Sequence, residues 1–252
     1  MIGNLILLTA LLLGADGELP KGHLVIAGGG TTTPEIMQRT LDLAGGLKAQ
    51  IVLIPQASPY PTAGQRMLER WRANGAEHVT VLDLTDPKAA VAAIEGADLI
   101  WIGGGNQARL MEALAGTGVA EAIQARFQRG ATVYGTSAGA AVMSSLMIAG
   151  YTGPRGTPGG GKALIAKGLG LWPDVIVDQH FLRRRRFDRL KGAVREHPDK
   201  IGVGIDESTA VVVSGREFEV LGASEVIVID PRKPTRPKAG GEADPPKPMG
   251  EG

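Results

Sequence analysis

Residues Ala131–Ala141 read ATVYGTSAGAA, and the pattern within this stretch changes from strand-like to helix-like. The opening ATVY is typical of a strand, and the closing AGAA consists of small residues that let a helix pack closely. Between them, Gly135–Gly139 has the form G-x-S-x-G, in which the glycines permit a sharp turn that exposes a serine. Glycine is common here, at 37 of 252 residues, so a tight turn with an incidental serine is the alternative.

Strands and helices are predicted to alternate on both sides of this turn. The strands are nearly unbroken apolar runs, as in parallel sheets covered on both faces, and they are Leu24–Ala27, Gln50–Pro55, His78–Asp83, Asp98–Ile102, Ala131–Tyr134, Val175–Asp178 and Ile201–Ile205. The helical patterns are Pro34–Ala44, with Thr33 as N-cap, Gly64–Asn74, Pro87–Ile94, Gln107–Ala115, Val119–Arg129, Ala138–Met147 and Arg183–Glu196. This alternation predicts an α/β fold with a doubly wound, mostly parallel sheet. Runs without helices predict C-terminal antiparallel strands at Ala210–Val213, Glu217–Val220 and Glu225–Ile229.

The two ends of the chain differ in composition from the middle. Leu5–Leu13 is an apolar run too short to span a bilayer, so residues 1–20 are predicted to be a signal peptide of a secreted or periplasmic protein. No basic residue precedes the run, and an N-terminal strand or helix of a cytoplasmic protein is the alternative. Residues 231–252 contain six prolines and are predicted to be disordered. A single α/β domain is therefore expected over residues 22–230.

The composition excludes several classes of site. With no cysteine, the chain forms no disulfide, thiolate zinc site or cysteine nucleophile. The 27 basic and 26 acidic residues give a net charge of +1, which makes no case for nucleic-acid binding. No metal, cofactor or stable membrane span is expected, and a homodimer is compatible with the sequence.

The position of each histidine relative to the sheet identifies the candidate base for Ser137. In open α/β sheets, catalytic groups collect at the carboxyl ends of the strands. His23 and His78 begin strands and His197 precedes one, which places all three at the opposite edge. His180 follows a strand and lies at the correct edge. It is therefore the predicted general base, with a surface-loop histidine as the alternative.

The same criterion sorts the acids that could orient the imidazole. Asp178, Asp206 and Glu207 follow strands, and Asp83 satisfies the criterion more weakly. Asp178 is two residues from His180 and could bind substrate instead. Asp206 is interpreted as a turn cap, so Glu207 is the favoured third member of a triad.

Two glycine-rich turns lie at the same edge. Gly103–Gly105 follows a strand and opens a helix, where backbone N–H groups could stabilise an oxyanion. Gly104 and Gly105 are predicted to provide one donor, and Ala138 the other. A phosphate site is the weaker alternative, because the Lys-Ser/Thr of a P-loop is missing. Gly28–Gly30 is interpreted as architectural, bordering the site.

A basic run, RRRRFDR, occupies residues 183–189 directly after His180. Four successive arginines on a helix would point in all directions, so a solvated face, or contact with an anionic polymer or membrane, is one interpretation. The other is that a subset binds a substrate carboxylate. Arg186 and Arg189 are three residues apart and would share a face.

Four linked motifs resemble the cyanophycinase branch of the serine peptidases, which includes aspartyl dipeptidase. They are GGNQ at Gly104–Gln107, GTSAGA at Gly135–Ala140, DQHF at Asp178–Phe181 with the arginines that follow, and GIDE at Gly204–Glu207. The resemblance spans residues 22–230. It implies a class I glutamine-amidotransferase-like (flavodoxin-like) fold and a Ser137–His180–Glu207 triad. It also implies substrate contacts from Gln107, Asp178, Gln179, Arg184, Arg186 and Arg189.

The resemblance implies hydrolysis of cyanophycin, a polyaspartate carrying arginine on each side-chain carboxyl, to β-Asp-Arg dipeptides. The arginines of the site would suit aspartyl carboxylates, and Asp178 the substrate guanidinium. Residues Tyr151–Gly161 contain no acid, which favours Glu207 or else a Ser–His dyad. An aspartyl or isoaspartyl dipeptidase and a catalytically silent protein that binds an acidic ligand or polymer are the alternative functions.

Overall fold

The computed structural model describes residues 5–7, 18–152 and 162–232. The strands are β1 (Leu5–Leu7), β2 (His23–Ala27), β3 (Gln50–Ile54), β4 (His78–Val81), β5 (Leu99–Ile102), β6 (Thr132–Thr136), β7 (Leu146–Tyr151), β8 (Ala163–Lys167), β9 (Val175–Gln179), β10 (Ile201–Ile205), β11 (Thr209–Ser214), β12 (Glu217–Gly222) and β13 (Val226–Ile229). The helices are α1 (Pro34–Leu43), α2 (Ala63–Ala73), α3 (Pro87–Glu95), α4 (Gln107–Leu114), α5 (Val119–Gln128), α6 (Ala138–Ala141) and α7 (Phe187–Glu196).

The central sheet has eight strands in the order β1-β12-β11-β2-β6-β5-β3-β4. The five strands from β2 to β4 in this order are parallel, whereas β11, β12 and β1 are added in antiparallel orientation. The predicted α/β class with a mostly parallel sheet and C-terminal antiparallel strands is confirmed. The predicted N-cap is confirmed as well, because the Thr33 side chain accepts a hydrogen bond from the Ile36 amide.

Helices cover both faces of this sheet. On one face, α1 and α2 place Ile36, Leu41 and Trp71 against the apolar side chains of β2, β3 and β5. On the other face, Ile94 of α3, Leu110 of α4 and the α5 side chains pack on the opposite sides of the same strands. Burial of these side chains supplies the main stabilisation of the sheet and fixes the strand ends that carry the candidate site.

A separate three-stranded sheet, ordered β13-β10-β9, carries two of the strands that precede candidate site residues. Strands β9 and β10 are parallel, and β13 pairs with β10 in antiparallel orientation. The carboxyl ends of β9 and β10 lie beside the loop after β2, because the His180 amide donates to the Gly28 carbonyl at 2.7 Å. The site is therefore assembled from two sheets.

Two predicted helices are wrong in extent. The helix predicted at Ala138–Met147 ends at Ala141, because the next carbonyl groups bond outside it: Val142 O accepts from Leu169 N at 2.7 Å. The chain then continues into β7, which pairs with β8. The helix predicted at Arg183–Glu196 begins at Phe187. Arg185 has a φ of 53°, so residues before Phe187 form a turn.

The chain ends bear on three of the sequence predictions. Residues Leu5–Leu7, within the predicted signal peptide, pair with β12 at the edge of the central sheet. The rest of that segment up to residue 17, residues 233–252 of the predicted disordered tail and residues 153–161 of the acid-free loop lie outside the described residues. Among the helices described, none has the length and apolar character needed to cross a membrane.

Candidate active site

Ser137 occupies the sharp turn between β6 and α6. Its φ of 55° and ψ of −110° are unusual for a residue with a side chain, and such strain is typical of an exposed nucleophile. A Cβ atom on Gly135 would overlap the carbonyl oxygen of Gly139, so the turn closes only with glycine at this position. The G-x-S-x-G pattern is therefore a steric requirement of the turn.

The side chains of Ser137, His180 and Glu207 form one chain of hydrogen bonds. Ser137 Oγ lies 2.9 Å from His180 Nε2, and His180 Nδ1 lies 2.6 Å from Glu207 Oε1. The three residues follow β6, β9 and β10, so each is at the carboxyl end of a strand. This order of serine, histidine and acid is the arrangement in which a base activates a nucleophile and a carboxylate orients the base.

Two of the residues predicted to provide oxyanion donors, Gly104 and Ala138, are neighbours of Ser137. Gly104 borders the nucleophile, because a Cβ atom on this glycine would lie 3.3 Å from Ser137 Cβ. Ala138 begins α6 directly after the nucleophile. Gly105 instead packs against the turn after β3, where a Cβ would overlap the Ala57 carbonyl oxygen, and the Asn106 amide donates to that oxygen at 2.9 Å. Of the two glycines, Gly104 is therefore the one that borders the nucleophile.

Asp178, predicted to contact the substrate, is buried and forms an ion pair within the protein. Its carboxylate is 1% exposed and accepts two hydrogen bonds from Arg189, one of them from Nε at 2.9 Å. Arg186 Nη1 lies 3.6 Å from the same carboxylate. With its oxygens engaged by two guanidinium groups, Asp178 holds arginines in place instead of presenting a free acid.

Arg186 also fixes the end of β9. Its Nη1 donates to the backbone oxygen of Gln179 at 2.6 Å and to the Gln179 side-chain oxygen at 2.9 Å. Burial, with the positive charge of Arg189, lowers the pKa of Arg186 to about 10, and Asp178 opposes this. Two guanidinium groups share one carboxylate, so the arginine cluster formed by Arg184, Arg186 and Arg189 keeps an excess of positive charge.

The remaining predicted contacts differ in their surroundings. Gln107 is half-buried, and its side-chain nitrogen donates to the Ile148 carbonyl of β7 at 2.7 Å, which ties α4 to that strand. Arg184 is exposed on the turn after His180. Asp206 caps this turn, since its carboxylate accepts from the Arg183 amide and from the Ser224 hydroxyl, both at 2.9 Å.

Comparison with known proteins agrees with this geometry. The model of Peptidase family S51 matches residues 24–221. The chain belongs to peptidase family S51. It is 42% identical over 209 residues to the cyanophycinase of Trichormus variabilis, covering 80% of this chain and 70% of that protein. It is also 42% identical over 204 residues to the cyanophycinase of Geminocystis herdmanii, covering 78% and 75%. The resemblance inferred from the motifs is therefore confirmed, and the protein is a peptidase.

A solved structure agrees with the fold of this S51 peptidase. The crystal structure of a peptidase from an acI-B1 actinobacterium superposes with a TM-score of 0.62 at 22% identity. The superposition covers 81% of this chain and 89% of that chain. At this level of identity the match supports the shared architecture, and the chemistry of the S51 site has to be argued from its own residues.

The environment of His180 in this S51 peptidase favours the neutral imidazole. Burial is the largest effect, and it lowers the pKa of His180 below the ordinary histidine value. The hydrogen bond and charge of Glu207 oppose this shift, whereas the positive charges of Arg184 and Arg186 add to it. A neutral ring that donates Nδ1–H to Glu207 leaves Nε2 to accept the Ser137 hydroxyl proton.

Arg184→Gln is expected to move the acid limb of the kcat/KM profile to higher pH. Removing a positive charge near the imidazole favours its protonated form, so the pKa of His180 rises and activity is lost earlier on acidification. The measurement is a pH–rate profile of both proteins. Arg185→Gln is the matched control, because Arg185 is equally exposed and does not perturb His180. An unchanged limb in Arg184→Gln, or equal shifts in both variants, would contradict the prediction.

The loop Gly28–Gly30 supports the imidazole directly, a role that the sequence analysis did not assign. Gly29 has a φ of 106°, and a Cβ there would overlap His180 Cε1 and lie 2.5 Å from Nε2. The Gly29 carbonyl accepts from the Ser208 amide at 2.9 Å. The available signal was three consecutive glycines at the carboxyl end of the first central strand, where backbone can approach a catalytic group.

Gly29→Ala is expected to lower kcat by about 100-fold or more, because the new methyl group displaces the imidazole from Ser137. Steady-state kinetics on the purified variant measure the effect. Gly45→Ala is the matched control: its φ of 97° imposes similar backbone strain, but no atom lies within 4 Å of the added Cβ. Equal activity losses in the two variants would attribute the effect to backbone strain and contradict the role of Gly29.

Proposed function

We propose that this S51 peptidase is a serine exopeptidase of the cyanophycinase type, which hydrolyses cyanophycin to β-Asp-Arg dipeptides. The observation that carries the proposal is the hydrogen-bond chain from Ser137 Oγ through His180 to Glu207. The relatives named cyanophycinase at 42% identity support the choice of polymer. The positive charge of the arginine cluster supports a substrate that presents carboxylates to the enzyme.

The proposed first half-reaction forms an acyl-enzyme. Ser137 Oγ attacks the scissile carbonyl carbon while His180 Nε2 takes its proton, and Glu207 stabilises the imidazolium that results. The amides of Gly104 and Ala138 donate to the oxygen that becomes negatively charged. His180 then gives the proton to the leaving nitrogen, the C–N bond breaks, and the acyl group remains on Ser137.

The second half-reaction releases the acyl group by hydrolysis. A water molecule loses a proton to His180 Nε2 as its oxygen attacks the acyl carbon, again opposite the amides of Gly104 and Ala138. Collapse of the intermediate breaks the bond to Ser137 Oγ, which recovers its proton from His180. The enzyme is then back in its starting state, and one peptide bond has consumed one water molecule.

The positive charge of the arginine cluster supports a defined orientation of the substrate. Arg186 and Arg189 share one buried carboxylate, and Arg184 is exposed and close enough for its charge to act on His180. The surplus positive charge suits the carboxylates of an aspartyl arginine unit, which guanidinium groups bind with two parallel hydrogen bonds. Asp178 serves this site by holding Arg186 and Arg189, so the guanidinium of the substrate needs a different partner.

The deciding experiment is digestion of purified cyanophycin with identification of the products. Release of β-Asp-Arg supports the proposal. Hydrolysis of aspartyl or isoaspartyl dipeptides with the polymer intact would overturn it and select a dipeptidase of the same family. A serine-reactive fluorophosphonate provides a second readout, since covalent labelling that is lost in a Ser137 variant argues against a silent binding protein.

We propose further that the enzyme acts outside the cytoplasm, on the basis of the apolar run Leu5–Leu13. Export has a structural consequence, because a mature chain without its signal peptide would lack the edge strand Leu5–Leu7 that pairs with β12. N-terminal sequencing of the protein from its native cells measures it. A chain that begins beyond the apolar run supports export, and one that retains Leu5–Leu7 contradicts it.

A further inference from the structure

A groove of about 510 Å³ lies beside the oxyanion loop of this peptidase. It is lined by Ala57, Pro59, Gly105, Asn106, Arg109 and Glu112. Its volume is within the range of pockets that hold small organic ligands. None of the six lining residues has a role in the catalytic steps derived above.

The groove is next to the catalytic site, because neighbouring glycines of one loop border the two. Gly105 lines the groove, and Gly104 is the residue whose Cβ would lie 3.3 Å from Ser137 Cβ. In the central sheet β5 and β3 follow β6 on one side, and the groove is built on the loops after these two strands. His180 contacts the loop after β2, which is on the other side of β6. Ser137, which follows β6, therefore lies between the loop that contacts His180 and the groove.

One positive and one negative side chain of the same helix, those of Arg109 and Glu112, line the groove. Arg109 and Glu112 are three residues apart on α4, so they share a face, with Cβ atoms about 5–6 Å apart. Both residues are exposed, and neither side chain forms an ion pair with any residue in the described parts of the chain. The start of α4 is rigid, because the Asn106 side chain accepts from the Arg109 amide at 3.0 Å.

We propose that this groove is a second substrate subsite, which binds an arginyl unit of the polymer next to the one held by the arginine cluster. Each such unit carries a guanidinium and a free carboxylate on one short chain. Glu112 receives the guanidinium and Arg109 receives the carboxylate, so that the two charge pairs form head to tail. The proposal rests on the proposed function, and it gives the guanidinium of this neighbouring unit an acidic partner in Glu112.

The test measures binding without turnover. Ser137→Ala protein is titrated by calorimetry with soluble cyanophycin fragments of one, two and four repeats. We expect affinity to increase with fragment length. We expect the added changes Arg109→Gln and Glu112→Gln to make that increase about fivefold smaller, while the affinity for the single-repeat fragment stays unchanged. The matched control is Glu121→Gln with Arg129→Gln, an exposed acidic residue of α5 and the exposed basic residue at its C-cap, both outside the groove.

The outcomes separate this inference from the proposed function. Equal affinity for all fragment lengths in Ser137→Ala protein, an undiminished length dependence in the groove variant, or the same loss in the α5 control overturns the subsite. The proposed function is judged separately, by release of β-Asp-Arg from the polymer by the wild-type enzyme. If the wild-type enzyme fails to cleave, the binding series still decides whether the groove takes a zwitterionic arginyl chain.

Discussion

Ser137→Ala should lower kcat by roughly 10⁵-fold to 10⁶-fold on whichever peptide the wild-type enzyme cleaves. The change removes only the oxygen that lies 2.9 Å from His180 Nε2, and alanine keeps the Cβ of the residue. Without Oγ no acyl-enzyme forms. The residual rate is that of water attack assisted by the backbone amides and the neutral imidazole, and it is measured in steady state with enzyme in high concentration.

A second serine–histidine pair in the chain provides a matched control for this variant. Ser214 Oγ lies 2.8 Å from His23 Nδ1 at the opposite edge of the central sheet, and it belongs to no catalytic arrangement. Ser214→Ala should keep wild-type kcat. Comparable losses in the two variants, or more than a few per cent of wild-type activity in Ser137→Ala, would show that Ser137 is not the nucleophile.

Glu207→Gln should lower kcat by about 10³-fold to 10⁴-fold with little change in KM. Glutamine preserves the shape of the side chain, but its nitrogen can donate to His180 Nδ1, which places the ring proton on Nε2 and blocks acceptance from Ser137. The variant also loses the charge that stabilises the imidazolium. Because Glu207 opposes the fall in the pKa of His180, the acid limb of the residual activity should move to lower pH.

The control for Glu207→Gln is the same carboxylate-to-amide change at Glu225, which is exposed and lies outside the triad. Glu225→Gln should retain wild-type kcat and an unchanged pH profile. A loss of less than tenfold in Glu207→Gln, with the profile of the wild-type enzyme, would indicate a Ser–His dyad in place of a triad.

The sequence was sufficient to identify the residues that meet in the hydrogen-bond chain. His180 could be separated from the other three histidines, and Glu207 favoured over Asp178 and Asp206, because parallel strands place their carboxyl ends at one edge. That argument needs only strand order along the chain. It does not need to know which strands pair, and it therefore gave the correct grouping even though β9 and β10 lie in a separate sheet.

The features that the sequence did not predict depend on contacts between distant segments. The start of α7 at Phe187 depends on Asp206, which caps the preceding turn from a different strand. The burial of Asp178 against Arg189 requires the end of β9 to face α7. Local patterns such as a run of arginines carry no information about these partners, so the helix was extended too far and the aspartate was assigned to the substrate.

The division of the site between two sheets makes activity depend on how the sheets pack as well as on the catalytic residues themselves. The nucleophile and the oxyanion donors belong to the eight-stranded sheet, whereas the proton-transfer pair belongs to the three-stranded sheet. Each part alone is chemically inert: one has a serine without a base, and the other a base without a target. Activity is thus a property of the packed pair of sheets, so a substitution in the core that they share would lower hydrolysis with every catalytic residue intact.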